Sequence, residues 1–412
     1  MRIVHVNDAD LVGRRFNGYD LLSALEPRGI RSAQIVLTKR SDDPRVVGLR
    51  DRPGDNELHL GVTEVERSRG MSNLLYPWGR VLSQTDEFKS ADVVHYHLIH
   101  NQMISLIDLP VLFKLKPSVW TLHDPWPLTG HCIHPMQCTG WLEGCTDCPH
   151  PDRAFPLPGD GARRMWRVKQ HVFSRVDVDV VVASRFMEDM VRRSPLTRGS
   201  VRVHRIPFGV DPTPFLPEAE KRASRQAFGI PGDDFVLLFR ATDVEYKGLP
   251  YAVEALALGP PVRPTTLLVL DHRGAVESLR SQYAVVETGW IDDAALYARA
   301  LSACDVVLMP STAETFGLMA AEAMAAGRPT VCFEDTALAS VAGAPECGIA
   351  VPFGNVQALR EAVDTLATTP EELARRAATC RTMAAEEYDY DRYLDSLESL
   401  YRSVLERSRL DG

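Results

Sequence analysis

The segment ETFGLMAAE, residues 314–322, is followed by an alanine-rich stretch and by AGRPTVCF. The pattern predicts a turn at Gly317, a short helix that ends at Gly327, and then a strand. The apolar run DVVLMP comes before it and leads to Ser311, so the turn lies just beyond the end of a buried strand. A helix that begins at such a turn has unpaired N–H groups and a partial positive charge, which suit a diphosphate.

Two carboxylates flank this turn, Glu314 before it and Glu322 on the helix. Because a carboxylate repels phosphate, we assign both to neutral hydroxyls, one on a sugar and one on a ribose. The backbone amides between them are assigned to the phosphates, and they belong to Thr315, Phe316, Gly317 and Leu318. The pattern favours a nucleotide-sugar site, although a glutamate pair near a helix start also serves in capping or solvation.

The segment FVLLFRATDVEYKGLPYAVEAL, residues 235–256, supplies two cations. It predicts a strand that ends at Arg240, a turn, and an amphipathic helix that opens at Lys247 and Gly248. Open α/β sheets bind ligands at the carboxyl edge of their strands, and that is where both cations fall. Taken singly they are ordinary surface ion-pair partners. Their order along the chain, ahead of the glutamate pair, favours the site.

Together with VVETGW and PFGVD, these segments resemble glycosyltransferase family 4, the retaining sugar transferases of the GT-B fold. The resemblance covers most of the chain and is best in its C-terminal half. It implies that Glu314 contacts the donor sugar, that Glu322 contacts the ribose, and that Arg240 and Lys247 bind the diphosphate.

The resemblance also implies that backbone atoms near Gly289, Trp290 and Ile291 read the base, and that no catalytic metal is needed. The expected reaction moves a sugar, with retention, from a UDP- or GDP-linked donor to an acceptor hydroxyl of a glycan, a lipid-linked glycan or a small natural product. A nucleotide-sugar epimerase of the same fold and a non-catalytic nucleotide-binding scaffold are the alternatives. A phosphorylase would need a pyridoxal-binding lysine, for which the sequence offers no sign.

The chain has 412 residues, of which 45% are hydrophobic and 25% charged, and it is long enough for two domains. Twelve apolar runs rich in Val, Ile and Leu predict parallel strands buried on both faces, hence two doubly wound, Rossmann-like α/β domains. We expect an acceptor-binding domain of residues 1–210 plus 391–412 and a nucleotide-sugar-binding domain of residues 211–390. Proline-dense FGVDPTPFLPEAE is the expected linker, and the cleft between the domains is the expected active site.

The first domain contains two further candidate residues. Gly18 lies in a loop with Arg14 and Arg15 after the first strand, where family members commonly have a Gly-Gly pair that this chain lacks. His123 ends the strand SVWTLHD, where it can hydrogen-bond a sugar hydroxyl or share a proton, with Asp124 fixing its tautomer. The alternatives are an ordinary strand–helix loop and a structural histidine. His95 and His97 are weaker candidates.

Residues 130–150 form a Cys-rich insert. Cys132, Cys138, Cys145 and Cys148 include one C-x-x-C pair, which is typical of half of a thiolate zinc site. We expect structural zinc here, with two disulfides or free thiols as the alternatives. Three histidines of the segment could replace a ligand: His131, His134 and His150. The other four cysteines, in apolar contexts, are expected in the core: Cys304, Cys332, Cys347 and Cys380.

The net charge of −9 is unevenly distributed. Residues 1–210 contain 28 Lys+Arg and 24 Asp+Glu, and the remainder contains 18 and 31. The segment GARRMWRVKQH surrounds Trp166 with Arg163, Arg164, Arg167 and Lys169, which indicates either a solvated helix face that buries Trp166 or contact with an anionic acceptor or membrane. No motif supports nucleic-acid binding. No signal peptide or membrane-spanning run is visible, so we expect a cytoplasmic protein, with a peripheral membrane contact as an option. Nothing indicates an oligomeric state.

Overall fold

A computed structural model describes residues 1–152, 156–157, 161–215 and 218–410. The chain folds into two compact units. The first comprises Met1–Ile206 and the residues from Leu394 onward, and the second comprises Pro207–Tyr393. The boundaries fall within a few residues of the expected 210 and 390. Residues 216 and 217 of the expected linker lie outside the described residues.

The first unit is built on a seven-stranded parallel sheet with the order β3-β2-β1-β4-β5-β6-β7. The strands are β1 Arg2–Ala9, β2 Arg31–Thr38, β3 Val46–Gly48, β4 Val93–Tyr96, β5 Ser118–Thr121, β6 Val178–Val182 and β7 Val201–Arg205. Its helices are α1 Leu21–Ala24, α2 Asp55–Ser68, α3 Trp78–Gln84, α4 Asp86–Ser90, α5 Leu109–Leu115, α6 Gly161–Phe173 and α7 Arg185–Arg193. Strand order reverses direction at β1 and β4, which makes their carboxyl ends the place where such sheets bind ligands.

The second unit has a six-stranded parallel sheet with the order β10-β9-β8-β11-β12-β13. The strands are β8 Phe235–Ala241, β9 Thr265–Asp271, β10 Ala284–Gly289, β11 Val306–Met309, β12 Thr330–Phe333 and β13 Ile349–Val351. Its helices are α8 Lys221–Ala227, α9 Leu249–Ala257, α10 Ala294–Ala303, α11 Leu318–Ala325, α12 Ala337–Val341, α13 Val356–Thr368 and α14 Pro370–Glu387. Here the order reverses at β8 and β11.

All twelve predicted strands are present, and most of their residues are buried. The doubly wound α/β prediction is therefore confirmed for both units. The strand that the sequence did not predict is β3, which has only three residues and lies at a sheet edge.

The last helix, α15 Tyr390–Leu410, spans the boundary, and its residues from Leu394 belong to the first unit. The Tyr401 hydroxyl lies 2.7 Å from Nδ1 of His95, and Arg407 donates to the buried carboxylate of Asp179. Burial by itself raises the pKa of Asp179, but hydrogen bonds from His204, Arg202 and Arg407 outweigh it and hold the pKa at about 2. A charged residue therefore fixes the end of this helix.

The expectation for the four cysteines outside the Cys-rich insert is confirmed. The side chains of Cys304, Cys332, Cys347 and Cys380 are fully buried.

In the part of the chain that the structure describes, no helix combines the length and the hydropathy needed to cross a bilayer.

Candidate functional site

Lys247 and Glu314 lie together where β8 and β11 end, with Nζ 2.5 Å from Oε1. The close approach of two loops brings them there. Gly248 has a φ of +75°, and a Cβ on it would lie 1.9 Å from the carbonyl oxygen of Pro310. Across the same contact the N–H of Thr312 donates to the Tyr246 carbonyl at 2.8 Å. Only glycine allows this packing, so the Lys-Gly pair of the sequence sets the position of the cation.

Gly317 caps the N-terminus of α11 with a φ of +89°. A Cβ there would approach Cδ2 of Leu338 to 2.4 Å, so this position also requires glycine. Leu318 then begins the helix, as predicted, so the backbone N–H groups of its first turn lie at the turn formed by Gly317. The ring of Phe316 packs edge-on against Phe208 and Tyr388, which leaves only its backbone for a ligand.

Arg240 is held by Asp271, a residue that the sequence analysis did not predict. Its Nε donates to Oδ2 of Asp271 at 2.7 Å, and its guanidinium lies 5.9 Å from the ring centre of Trp290. Asp271 ends β9, which pairs with β8; the sequence shows that a strand ends there, but not that this strand lies next to the one that carries Arg240. Trp290 is two-thirds exposed, its Nε1 donates to Asp292, and Ile291 beside it is half-buried.

Glu322 is 4% exposed, and its Oε2 accepts a hydrogen bond of 2.7 Å from the hydroxyl of Tyr297. Tyr297 lies on α10 and had no sequence signal, because its distance from Glu322 depends on how two helices pack. A buried carboxylate with a hydroxyl partner is chemically suited to exchange that partner for a ribose hydroxyl.

In the first unit, Gly18 and His123 are linked through other histidines. A Cβ on Gly18 would come within 2.7 Å of the His5 ring, and Nδ1 of His5 lies 3.1 Å from Nε2 of His97. Nδ1 of His97 lies 3.1 Å from Nε2 of His123. His97, set aside as a weaker candidate, therefore directly contacts the stronger one.

Asp124 has two hydrogen-bonding partners that the sequence analysis did not predict. Its Oδ2 lies 3.1 Å from Nε2 of His100, and its Oδ1 accepts from the N–H of Trp126. The charge of Asp124 also acts on His123, whose Nε2 lies beside a nitrogen of His97. Arg14, in the Gly18 loop, pairs with Asp20 at the surface.

The Cys-rich insert brings some of its donors together. Nε2 of His131 lies 3.4 Å from Sγ of Cys148 and 3.7 Å from Sγ of Cys132, and Cys145 accepts the N–H of Gly130 at 3.1 Å. All four cysteines of the insert, including Cys138, are half-buried thiols. Burial and the neighbouring thiols raise the pKa of Cys132 to about 12.

Helix α6 buries Trp166, as predicted if its basic face is solvated, but it also buries Lys169. The Lys169 Nζ donates to three carbonyls where the Cys-rich insert begins, those of Trp126, Thr129 and Gly130. Burial lowers the pKa of Lys169 to about 7. This residue stabilises the loop, and its inclusion in the exposed basic group was wrong.

Two family models match the chain. The model described as Glycosyltransferase Family 4 matches residues 19–213, and the model described as Glycosyl transferases group 1 matches residues 220–382. The chain belongs to glycosyltransferase family 4. The second model contains the Lys247–Glu314 pair and the α11 turn, whereas the first contains His123 and the Cys-rich insert.

Named relatives agree with the family. A D-inositol 3-phosphate glycosyltransferase of Saccharomonospora viridis is 27% identical, with 92% of this chain and 86% of that protein covered. The putative colanic acid biosynthesis glycosyl transferase WcaC of Escherichia coli is 25% identical over 60% of this chain; the chain spans 61% of that relative and 48% of a further one. The Anabaena Alr3699/HepE structure, in complex with UDP and glucose, superposes with a TM-score of 0.65 at 17% identity, covering 98% of this chain and 100% of that one. The fold is GT-B.

We predict that Lys247→Ala weakens the binding of a nucleoside diphosphate about 10- to 100-fold, because it removes a charge-assisted hydrogen bond and leaves the Glu314 carboxylate to repel phosphate. Calorimetric titration with UDP and GDP measures the change. Arg222→Ala, which removes an 82% exposed cation of the same unit, is the control and should bind like the wild type. Wild-type affinity in Lys247→Ala would remove Lys247 from the site.

Proposed function

We propose that this family 4 enzyme transfers a sugar, with retention of anomeric configuration, from a UDP- or GDP-linked donor to an acceptor hydroxyl. The observation that carries the proposal is the Lys247–Glu314 pair beside the N-terminus of α11, at the point where strand order reverses. That arrangement offers a cation and backbone amides to a diphosphate and a carboxylate to a sugar hydroxyl.

In the proposed reaction, the bond between the anomeric carbon and the diphosphate oxygen breaks as the acceptor oxygen attacks from the same face. The leaving diphosphate oxygen takes the proton of the acceptor hydroxyl, so no protein nucleophile is needed. Negative charge grows on the diphosphate, where Arg240, Lys247 and the amides of α11 stabilise it without a catalytic metal. Glu314 holds the sugar and Glu322 the ribose.

The test is turnover with UDP- and GDP-sugars, followed by release of nucleoside diphosphate with and without glycan, lipid-linked and small polyol acceptors. We predict that Lys247→Ala lowers turnover by at least 100-fold, because the leaving-group charge loses its counter-ion, while Arg222→Ala does not. The anomeric configuration of the product, read by NMR, tests retention. An altered sugar nucleotide without acceptor transfer would instead identify an epimerase, and tight nucleotide binding without any turnover would identify a scaffold.

We propose further that the Cys-rich insert holds a structural zinc ion. Zinc–sulfur bonds of about 2.3 Å and zinc–nitrogen bonds of about 2.0 Å at a tetrahedral angle separate the two donor atoms by about 3.5 Å. The separations of His131 Nε2 from Cys148 and Cys132 lie on either side of this value, but the three donor atoms do not all lie within 4.8 Å of one another, so the two thiols would have to move together to share an ion. His131 therefore competes with Cys138 for the fourth position beside Cys132, Cys145 and Cys148. The ion would fix the loop.

We predict about one zinc per chain in protein purified without added metal, measured by plasma mass spectrometry. Cys148→Ser should lose the zinc and lower the melting temperature, because structural zinc binding contributes directly to folding. Cys304→Ala, which changes a core cysteine of the other unit, should keep the zinc. Comparison of Cys138→Ser with His131→Ala identifies the fourth ligand. Freely titrating thiols in a metal-free, folded protein would overturn the proposal.

A basic and apolar surface of the first unit supports a third proposal, peripheral binding to an anionic membrane. A groove of about 630 Å³ between α5 and α6 is lined by basic and apolar side chains, namely Arg163, Arg164, Arg167, His171, Arg175, Ile107, Pro110, Val168 and Val172. Beside it, Ile107, Val111 and Leu115 follow one another at helical spacing and are each more than half exposed. Arginines next to exposed aliphatic residues match phosphate headgroups above acyl chains.

We predict that Arg163→Glu/Arg167→Glu lowers the partition coefficient onto phosphatidylglycerol-containing vesicles, measured by co-sedimentation, about 30-fold or more. The reason is that each basic residue near an anionic surface contributes about 1 kcal/mol to binding. Neutral phosphatidylcholine vesicles should not sediment the wild type. The control, Arg52→Glu/Arg192→Glu, makes the same charge change at exposed arginines outside the groove. Equal losses in both double variants, or no vesicle binding by the wild type, would contradict the proposal.

A further inference from the structure

Three imidazoles of the first unit form one hydrogen-bonded chain, which we call the histidine chain: the buried rings of His5 and His97 and the partly buried ring of His123. Nδ1 of His5 contacts Nε2 of His97, and Nδ1 of His97 contacts Nε2 of His123, at 3.1 Å each. The rings of successive members are stacked with centres 5.4 Å apart.

Strand register brings these rings together. His5 on β1 is the direct partner of His95 on β4, and residues two apart on a strand share a face. His97 therefore follows His95 on the same side, and His123 follows Thr121 in the same way after β5. His95 itself lies outside the chain, because its Nδ1 contacts the Tyr401 hydroxyl and its Nε2 contacts the Thr121 hydroxyl, at 2.7 Å each.

A metal ion is the rival explanation of the cluster. One ring nitrogen from each of His5, His95 and His97 lies within 4.8 Å of the others. A divalent ion there would have to replace one of the two contacts of His97, and it would also take a nitrogen of His95 from a hydroxyl partner. Hydrogen bonds already account for both ring nitrogens of His95 and His97 and for Nδ1 of His5, so we interpret the cluster as a chain rather than a metal site.

The rings are neutral at physiological pH. Burial lowers the pKa of His5 to about 3 and that of His123 to about 4, and burial with the neighbouring rings lowers the pKa of His97 well below its usual value. Each ring therefore carries one N–H, and His97 must donate through one nitrogen and accept through the other. The two hydrogen bonds therefore run in the same direction, either from His5 to His123 or from His123 to His5.

His5 decides that choice. Its Nε2 is buried and has no hydrogen-bond partner among the residues that the structure describes. If the chain ran from His123 to His5, Nε2 would carry a buried N–H with nothing to accept it. If it runs from His5 to His123, Nε2 holds only a lone pair. Orphaned buried N–H groups are rarer than orphaned acceptors, so the second direction is favoured.

We propose that His5 and His97 are positioning residues that hold His123 as its Nδ1–H tautomer. His5 donates to His97, His97 donates to His123 Nε2, and the proton of His123 stays on Nδ1. Resting on the proposed function, this makes His123 a hydrogen-bond donor to an oxygen of the bound sugar or acceptor, and not the base that removes the acceptor proton. Gly18 contributes to the same arrangement, because any side chain at that position would displace the His5 ring.

The direct test is selective ¹⁵N-histidine labelling of the full chain, with tautomers read from long-range ¹H–¹⁵N correlations between pH 5.5 and 8. We expect His123 protonated at Nδ1 throughout the range. Tyr401→Phe, which removes a contact of His95 but none of the histidine chain, should change the signals of His95 and leave the tautomer of His123 unchanged. An Nε2–H tautomer of His123 in the wild type would overturn the proposal, whether or not sugar transfer is ever detected.

Two variants test the consequence for turnover. His5→Leu removes the donor at the start of the chain, whereas His5→Asn places an amide N–H near the position of Nδ1. We expect His5→Leu to lower kcat about tenfold, the size of one hydrogen bond of roughly 1.4 kcal/mol, with nucleotide affinity unchanged. His5→Asn should recover most of the loss. Equal kcat values in the two folded variants would contradict the positioning role, and the wild-type spectrum decides the tautomer if His5→Leu does not fold.

Discussion

The proposed donor site depends on a contact between two backbones, that of Gly248 with the carbonyl of Pro310. Any side chain at position 248 would meet that oxygen at 1.9 Å, so the loop after β8 can lie against the loop after β11 only because the residue is glycine. The contact holds Lys247 beside Glu314, and it does so at the edge where a parallel sheet collects ligand-binding loops. The geometry of the charged groups follows from this backbone packing.

Each charged group assigned to the donor already has a partner. Lys247 pairs with Glu314, Arg240 with Asp271, and Glu322 with Tyr297. Such pairing keeps the side chains in fixed positions and satisfies them while no ligand is bound. In the proposed site, donor binding would exchange these partners, with phosphate and hydroxyl groups replacing carboxylate and phenol. Groups that are preorganised in this way stabilise developing charge without reorganising during the reaction.

The sequence predicted the fold well because a strand buried on both faces can be recognised from its own residues, which form a run of Val, Ile and Leu. It predicted Gly317 and Gly248 as helix-start residues for a similar reason, since glycine marks special backbone geometry. It missed Asp271 and Tyr297, and it undervalued His97, because their roles depend on strand register and helix packing between residues distant in the chain. It also misjudged Lys169, because the alternation of basic residues around Trp166 does not show which one points inward.

The structure of a complex with UDP or GDP tests the central claim most directly. The account predicts that a diphosphate oxygen lies within hydrogen-bond distance of Lys247 Nζ and of an amide in the first turn of α11, with the Lys247–Glu314 pair opened. A nucleotide bound elsewhere, with that pair still closed at its present 2.5 Å, would contradict it.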